Sequence, residues 1–460
     1  MAELLVWLLG VVGAPLAVVI ASWSALELER LRRFAVACAM LLVAVASLPM
    51  FVSSLADVAL AWPGVLASWG LFGPSLVRTD ALSEVLIPMV AVLWLMSNAV
   101  TPRSRLDRNG IRRTASATAL VLLAFASESP IVLALLWIGS CVPYLRALAA
   151  PEHRRARRVA SVYLGASMVL FVLGVALSYS GVEGPLSRIG MVLLLVAALI
   201  RKGVFPFHAW IPEVFERGRL GPAVLLTTPQ IGAYVTAVLI VPRAAPETLR
   251  VVAILALVTA VYGAALALIQ RDARRGLGYL FVSQSALVMA GLDCTSEQAL
   301  GGSMVLWVSS ALAFAGVARC VLLLEARRGR LDLSQFHGGY AQMPTLAISF
   351  LVLGLACTGF PGTLGFIGEE LLVDGATEAF PVLGFCVVAA GALTGLAILR
   401  MYFSLFCGRS DAGPQLPALR PERIVFGALA ALLILTGLLP GPLVSSRLAA
   451  AEQVLERREP

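Results

Sequence analysis

The chain holds a single lysine, Lys202, and only three histidines, His153, His208 and His337, in 460 residues. Charged residues make up 13% of it against 59% hydrophobic, and mean hydropathy is +0.90. A soluble domain cannot hide that much apolar surface, because folding always leaves part of it outside. The alternating polar–apolar strands of a membrane β-barrel are missing too, and the apolar runs are too long for barrel strands. There is no HExxH, no GxxxxGK[ST] and no GxGxxG after a strand, so no motif for metal-assisted hydrolysis or nucleotide binding is visible. Three scattered histidines do not offer the facing pairs that haem needs. Cys38, Cys141, Cys294, Cys320, Cys357, Cys386 and Cys407 lie mostly inside apolar runs. They form no CxxC or Cys/His ligand spacing, so neither a disulfide framework nor a metal site is indicated and no cofactor is expected. The net charge of +8 would suggest nucleic acid in a soluble protein. Here the arginines cluster in short loops between apolar runs, where membrane orientation accounts for them.

What the sequence does have is repeated apolar runs of about 20 residues, enough to cross a hydrocarbon core of ~30 Å as helices. It reads as an all-α polytopic membrane protein. About fourteen spans are expected, over 3–22, 34–61, 80–101, 114–127, 129–149, 159–180, 189–216, 220–241, 248–269, 275–292, 300–325, 344–372, 379–406 and 422–446. The first run, from Leu4 to about Ser22, lacks a basic n-region and a cleavage site, and reads as a span rather than a signal peptide.

The loops give an independent check. Arg30, Arg32 and Arg33 follow span one; Arg103, Arg105, Arg108, Arg112 and Arg113 follow span three. Arg154, Arg155, Arg157 and Arg158 follow span five, and Arg217 and Arg219 follow span seven. Arg271, Arg274 and Arg275 follow span nine, Arg327, Arg328 and Arg330 span eleven, and Arg409, Arg420 and Arg423 span thirteen. Even-numbered loops carry few positive charges, and the one from Asp293 to Glu297 is acidic. Positive loops stay cytoplasmic, so both termini are expected on the outer side of a cell (inner) membrane.

Two spans are interrupted near their middle: 189–216 by Gly203, Pro206 and Pro212, and 344–372 by Gly354, Gly359, Pro361, Gly362 and Gly365. They are spans seven and twelve. The expected organisation is therefore spans one to three in 1–113, a five-helix unit in 114–241, a second in 248–406, and a last span and tail in 407–460. An odd number of helices per unit inverts the second relative to the first. Broken helices in corresponding positions of inverted repeats point to an ion or substrate pathway, since broken backbone at that depth needs protein or water to satisfy it.

Charges at membrane depth supply the candidates. Arg201 lies about 12 residues into span seven, roughly 18 Å along the helix and just past the midplane. An intramembrane cation marks a functional site, unless the helix ends early and both cations reach the interface. Lys202 suits a proton relay because an ammonium gives up its proton when desolvated; Arg201 does not, because guanidinium effectively never deprotonates. Glu369 and Glu370 follow the second break and read as carboxylates able to hold or pass a proton. His208 either titrates or hydrogen-bonds broken backbone. Glu128 reads as a loop or interface charge, and His153 and His337 as surface residues.

Several blocks then come in a telling order: "KGVFPFHAWIPEVFERGRLGPA", "LLTTPQIGAY", "YGAALALIQRDARRGLGYLFVSQSALVMAGL", "GFPGTLGFIGEELL" and "AILRMYFSLF", with "VRTDALS" at 77–83 before them. From about residue 77 to 445 the chain resembles the antiporter-like subunits of respiratory complex I, especially the chain M (subunit 4) type. That family includes Mrp antiporter subunits, membrane-bound hydrogenase subunits and the membrane partners of inorganic-carbon uptake complexes. The resemblance implies fourteen helices in two inverted five-helix repeats, helices seven and twelve broken. It implies a proton- or sodium-conducting subunit, set in lipid beside other membrane subunits, with a quinone reductase, hydrogenase or carbon-uptake partner supplying the driving reaction. The alternatives are a structural subunit that does not conduct, or the membrane partner of a carbon-uptake or Mrp-type complex. The family's seventh-helix lysine, nine residues before its tryptophan, falls on Arg201, with Lys202 one place later. Its fifth-helix glutamate falls on Ile138, its eighth-helix lysine on Gln230, its eleventh-helix histidine on Ser310 and a loop basic residue on Arg274. The twelfth-helix acid is kept as Glu369. The implied pathway is thus Arg201, Lys202, His208, Gln230, Glu369 and Glu370, with Gly203, Pro206, Pro361 and Gly362 at the breaks, and Ile138 puts its first half in doubt.

Overall fold

The computed structural model describes residues 2–52, 55, 58–61, 71–72, 75–179, 184–379, 381–408 and 417–458. Eleven of the described helical segments are long and apolar enough to cross a membrane. The N-terminal spans are α1 (Ala2–Ala21), α2 (Leu28–Ala46) and α3 (Ala81–Ala99). Next come α4 (Arg108–Phe125), α5 (Pro130–Ala147) and α6 (Arg154–Ser178). Then α7 (Pro185–Lys202) breaks into α8 (Trp210–Arg217), and α9 (Leu220–Thr227) breaks into α10 (Ile231–Val235), which runs into a π-helical turn at Thr236–Ile240. The chain continues through α11 (Pro246–Ile269), α12 (Ala273–Asp293) and α13 (Glu297–Arg328). It ends with α14 (Pro344–Cys357), α15 (Leu364–Ala379), α16 (Pro381–Phe406), α17 (Arg420–Leu438) and α18 (Gly441–Glu456).

Helices stand where the apolar runs place them, with four differences. The second span ends at Ala46, not residue 61: Leu48–Met50 is a 3₁₀ turn, Val58–Ala61 is a strand (β1), and 53–54 and 56–57 lie outside the described residues. Strand β1 pairs antiparallel with β2 (Ser75–Thr79), so a two-stranded hairpin joins the all-helical plan. The last span stops at Leu438, because Pro440 and Pro442 flank a new start, and α18 turns back over the bundle. Span eight, expected to be continuous, is broken at Pro229–Gln230.

Local chemistry explains several of these limits. Asp80 caps α3, accepting from Ser83 N at 2.8 Å while Ser83 Oγ accepts from Asp80 N at 2.9 Å, a reciprocal capping box. Proline begins α5, α7, α11, α14 and α16, where its missing N–H has no intrahelical partner to lose. Helix α13, 32 residues long, is buried through its apolar window and forms the axis of the second half. It meets α15 through small residues: a Cβ on Gly368 or Gly375 would strike the backbone of Leu306 or Ala299. With lipid on the outside, such close backbone packing replaces the hydrophobic drive between helices.

The arginine-rich loops meet on one face, tied by ion pairs that span the sequence. Arg103 reaches Glu29 at 3.2 Å, Arg155 reaches Glu213 at 2.9 Å and Arg275 reaches Glu216 at 2.8 Å. Arg330 reaches Asp272 at 2.7 Å, and Arg327 reaches Glu422 at 2.8 Å. Arg409 lies outside the described residues. On the opposite face Glu128, read from sequence as a loop or interface charge, stands in the loop between α4 and α5 and is buried between Arg78 at 3.5 Å and Arg457 at 2.8 Å. Arg457 also lies 3.6 Å from Asp80, and fully buried Arg447 donates to the Ala81 and Leu82 carbonyls, so α18 is pinned onto α3. His153 and His337 are half-exposed among the arginine-rich loops, as expected.

Candidate functional site

The site is built from interrupted helices. Gly203 ends α7 in the left-handed region, at φ 70°, which glycine adopts without the Cβ penalty. The freed backbone is satisfied by side chains: Trp210 Nε1 donates to the Ile200 carbonyl at 2.8 Å, and Phe205 N donates to Thr259 Oγ1 at 3.1 Å. Pro206 in the gap needs no acceptor. At the second break, Gly359 and Gly362 hold φ of 67° and 88° on either side of Pro361, and Thr363 Oγ1 donates to the Phe360 carbonyl at 2.7 Å.

The two cations at the end of α7 do not snorkel. Arg201 is 7% exposed and Lys202 is 2% exposed. They diverge, because neighbours on a helix point about 100° apart. Arg201 turns to α5, where Nη2 donates to Ser140 Oγ at 2.9 Å, Nη1 meets Cys141 Sγ, and the guanidinium carbon lies 5.3 Å from the centre of the Trp137 ring. Trp137, Ser140, Cys141 and Tyr144 form the buried stripe of α5, while Ile138 is half-buried beside it. Arg201 therefore meets neutral groups where the family pattern would offer a carboxylate.

Lys202 turns the other way, and its Nζ donates to Gln230 Oε1. Gln230 has φ 54° and ψ 51°, the one non-glycine residue at positive φ among those described. That conformation costs about 1–3 kcal/mol and persists only where the surroundings impose it, typically at functional sites. It brings the carboxamide from the break after Thr228 onto the ammonium. Trp307 Nε1 holds the same break by donating to the Pro229 carbonyl at 3.1 Å. Gly232 leaves room for the lysine stem, since a Cβ there would lie 2.9 Å from Lys202 Cγ. Ser285 Oγ donates to the Lys202 carbonyl at 3.1 Å, joining α12 to the site.

Asp293 is a further buried acidic residue. It ends α12, is 1% exposed, and neither carboxylate oxygen has a hydrogen-bond partner among the described residues. Sequence reading placed it in an acidic outer loop; the signal that could have found it is the apolar run "SALVMAGL" leading straight into it. Gln284 Oε1 and Ser309 Oγ are further buried polar atoms without a hydrogen-bond partner among the described residues.

The remaining candidates lie apart from Lys202. His208 sits at the first break in an aromatic cluster, 5.3 Å from Tyr262 and 6.5 Å from Tyr279 between ring centres. Its Nδ1 is buried without a hydrogen-bond partner among the described residues. Glu369 is half-buried beyond the second break, its carboxylate wedged between Gly359 and Gly391, where a Cβ on either would lie 2.0 Å from it. Glu370 is exposed and shares an outward stripe with Asp374 and Glu378 at helical i, i+4, i+8 spacing. The pair cannot both face a buried site, since consecutive helix residues diverge. Ser310 Oγ bonds back to the Trp307 carbonyl, and Arg274 pairs with Glu325, 2.7 Å from Nε to Oε1.

Broken apolar helices carrying buried, oppositely charged side chains define a membrane protein with ionisable groups inside the bilayer. Residues 104–394 match the family described as NADH:quinone oxidoreductase/Mrp antiporter, TM. The chain is 30% identical over 418 residues to NADH-quinone oxidoreductase subunit 14 of Thermus thermophilus, covering 86% of this chain and 93% of that one. It is 30% identical over 299 residues to NADH-quinone oxidoreductase subunit N 2 of Solidesulfovibrio magneticus, 64% of each. Over 275 residues it is 30% identical to subunit M of Pseudomonas aeruginosa, covering 57% of this chain and 53% of that one. Two of these three matches thus span under two thirds of the relative. The fold matches a chain of respiratory complex I from Thermus thermophilus, at a TM-score of 0.87 and 21% identity over 99% of this chain and 100% of that one. It matches the Mrp complex from Dietzia sp. DQ12-45-1b equally well, at 0.87 and 17% identity over 99% and 98%. The chain belongs to the NADH:quinone oxidoreductase/Mrp antiporter membrane family.

Proposed function

We propose that this chain is a proton-translocating membrane subunit of a complex I-like NADH:quinone oxidoreductase or a related ion-translocating complex, with its driving reaction supplied by partner subunits. The observation that carries the reading is Lys202: a buried ammonium at a helix break, held by a neutral carboxamide, with Asp293 a second buried charged residue whose oxygens have no hydrogen-bond partner among the described residues. A lysine so placed holds or releases a proton according to the charge around it. Gln284 and Ser309 supply buried acceptors toward Glu369, which serves the second half, while Arg201 acts as a fixed charge and His208 lines the first break. The two breaks, at 203–209 and 358–363, fit inverted repeats over 114–241 and 248–406. The arginine-rich face is read as cytoplasmic and both termini as outer. Carboxylates facing hydrocarbon cost about 2.5–3.5 kcal/mol each on insertion scales, so the exposed stripe of Glu370, Asp374 and Glu378 fits a face covered by a neighbouring subunit. Proton uptake by proteoliposomes holding the intact complex tests the reading: Glu369→Gln abolishes it, and wild-type rates in that variant would contradict the path.

A second reading, a subunit that fills the membrane arm without conducting, is favoured by the neutral partners of Arg201 on α5. On that reading neither Lys202 nor Glu369 affects uptake.

A further inference from the structure

We propose that a cavity on the arginine-rich face binds a phosphate-type anion, with Arg319 as its buried donor. The cavity measures about 360 Å³ and lies among the end of α3, the start of α4, the α8–α9 junction, α12 and α13, within the usual size of a small-ligand site. Arg105, Arg219, Arg274 and Arg319 line it, against one lining carboxylate, Asp107.

The first three arginines already share two carboxylates. Arg274 and Arg105 both engage Glu325, Arg105 at 3.3 Å, and Arg219 shares Asp107 with Arg113, at 3.4 and 3.1 Å. Positive charge thus exceeds negative here before Arg319 is counted. Loop charge bias accounts for Arg105, Arg219 and Arg274, which flank the spans, but not for Arg319. That residue stands well inside α13, more than two turns before Arg328, and is 4% exposed. Its guanidinium donates only to hydroxyls, Ser97 Oγ at 3.0 Å and Thr101 Oγ1 at 3.4 Å, and no carboxylate pairs with it among the described residues.

A guanidinium taken out of water costs several kcal/mol unless an opposite charge meets it. Its planar fork presents paired N–H donors that match two oxygens of a phosphate. Gly221 faces Nη1 without a side chain, and a Cβ there would lie 3.3 Å from it. The surplus of positive charge repels a hydrated cation, so the cavity suits an anion and is separate from the proton path around Lys202. The phosphate belongs either to a phospholipid headgroup or to a free phosphate in the aqueous phase, and the same donors recognise both.

Two measurements on the purified membrane complex separate the sources. Native mass spectrometry after reconstitution in phosphatidylglycerol nanodiscs reads a retained lipid; equilibrium binding of radiolabelled inorganic phosphate to detergent-washed complex reads free anion. Saturable binding in either arm, weakened about tenfold or more by Arg319→Gln through loss of charged hydrogen bonds, supports the site and names its source. Arg219→Gln, at the half-exposed rim, weakens the same binding without disturbing α13, and decides the matter should Arg319→Gln fail to assemble. The proposal is overturned if neither phosphatidylglycerol nor phosphate binds, or if both variants bind as wild type does.

Discussion

Replacing Gln230 by Leu removes the one hydrogen-bond partner that Lys202 Nζ has among the described residues and leaves the backbone break in place. A hydrogen bond to a charged group contributes about 1.5–3 kcal/mol, and its loss inside the bundle leaves the ammonium without a substitute. If that interaction sets the barrier for proton transfer at Lys202, the rate falls roughly 10- to 150-fold, since each ~1.36 kcal/mol is a factor of ten. The assay is proton uptake by proteoliposomes of the intact complex, in a double-mutant cycle with Lys202→Met. Because both side chains act at one step, Gln230→Leu with Lys202→Met is no slower than Lys202→Met alone. Gln230→Gly serves as the backbone control: it relieves the positive φ at a residue without a Cβ but still loses the carboxamide, so uptake falls in it too. Wild-type uptake in Gln230→Leu, or additive losses in the double variant, would refute the reasoning.

Two further outcomes follow from the geometry. Asp293→Asn keeps the shape of a side chain whose oxygens have no hydrogen-bond partner among the described residues and removes only its charge, so proton uptake drops in a complex that still assembles; unchanged uptake would remove Asp293 from the path. In a background cleared of native cysteines, a cysteine at exposed position 330 is labelled by an impermeant maleimide only from the cytoplasmic side, and one at exposed position 452 only from outside. The reverse pattern would invert the orientation.

Much of the fold was legible in the sequence because a bilayer leaves few solutions: long apolar runs must be helices, and Gly and Pro inside them must mark breaks. The breaks at Gly203 and Pro361–Gly362 were readable for that reason, and so was the gathering of arginine-rich loops on one face. Pro229 was passed over because one proline in an apolar run is commonplace, and only the positive φ of Gln230 shows that the chain turns there. Which way each charge points was not legible. Arg201 and Lys202 are adjacent, and only the end of α7 at Gly203 decides that one meets α5 while the other meets Gln230. The same blindness paired Glu369 with Glu370, although helical geometry points them about 100° apart. Asp293 looked like a loop residue because hydropathy registers the end of a helix, not what packs over it. Arg447 and Arg457, read only as part of a tail, are buried or half-buried partners of α3 and Glu128 through contacts more than 300 residues apart in sequence.

The central claim, that Lys202 and not its neighbour Arg201 carries the proton, is tested most directly by two single substitutions in the intact complex. Proton uptake into proteoliposomes is measured for Lys202→Met and for Arg201→Gln, with assembly checked in each. Lys202→Met cuts uptake to a small residual rate while Arg201→Gln, which loses only a fixed charge bonded to Ser140 and Cys141, retains most of it. Normal uptake in Lys202→Met, or loss confined to Arg201→Gln, would contradict the claim.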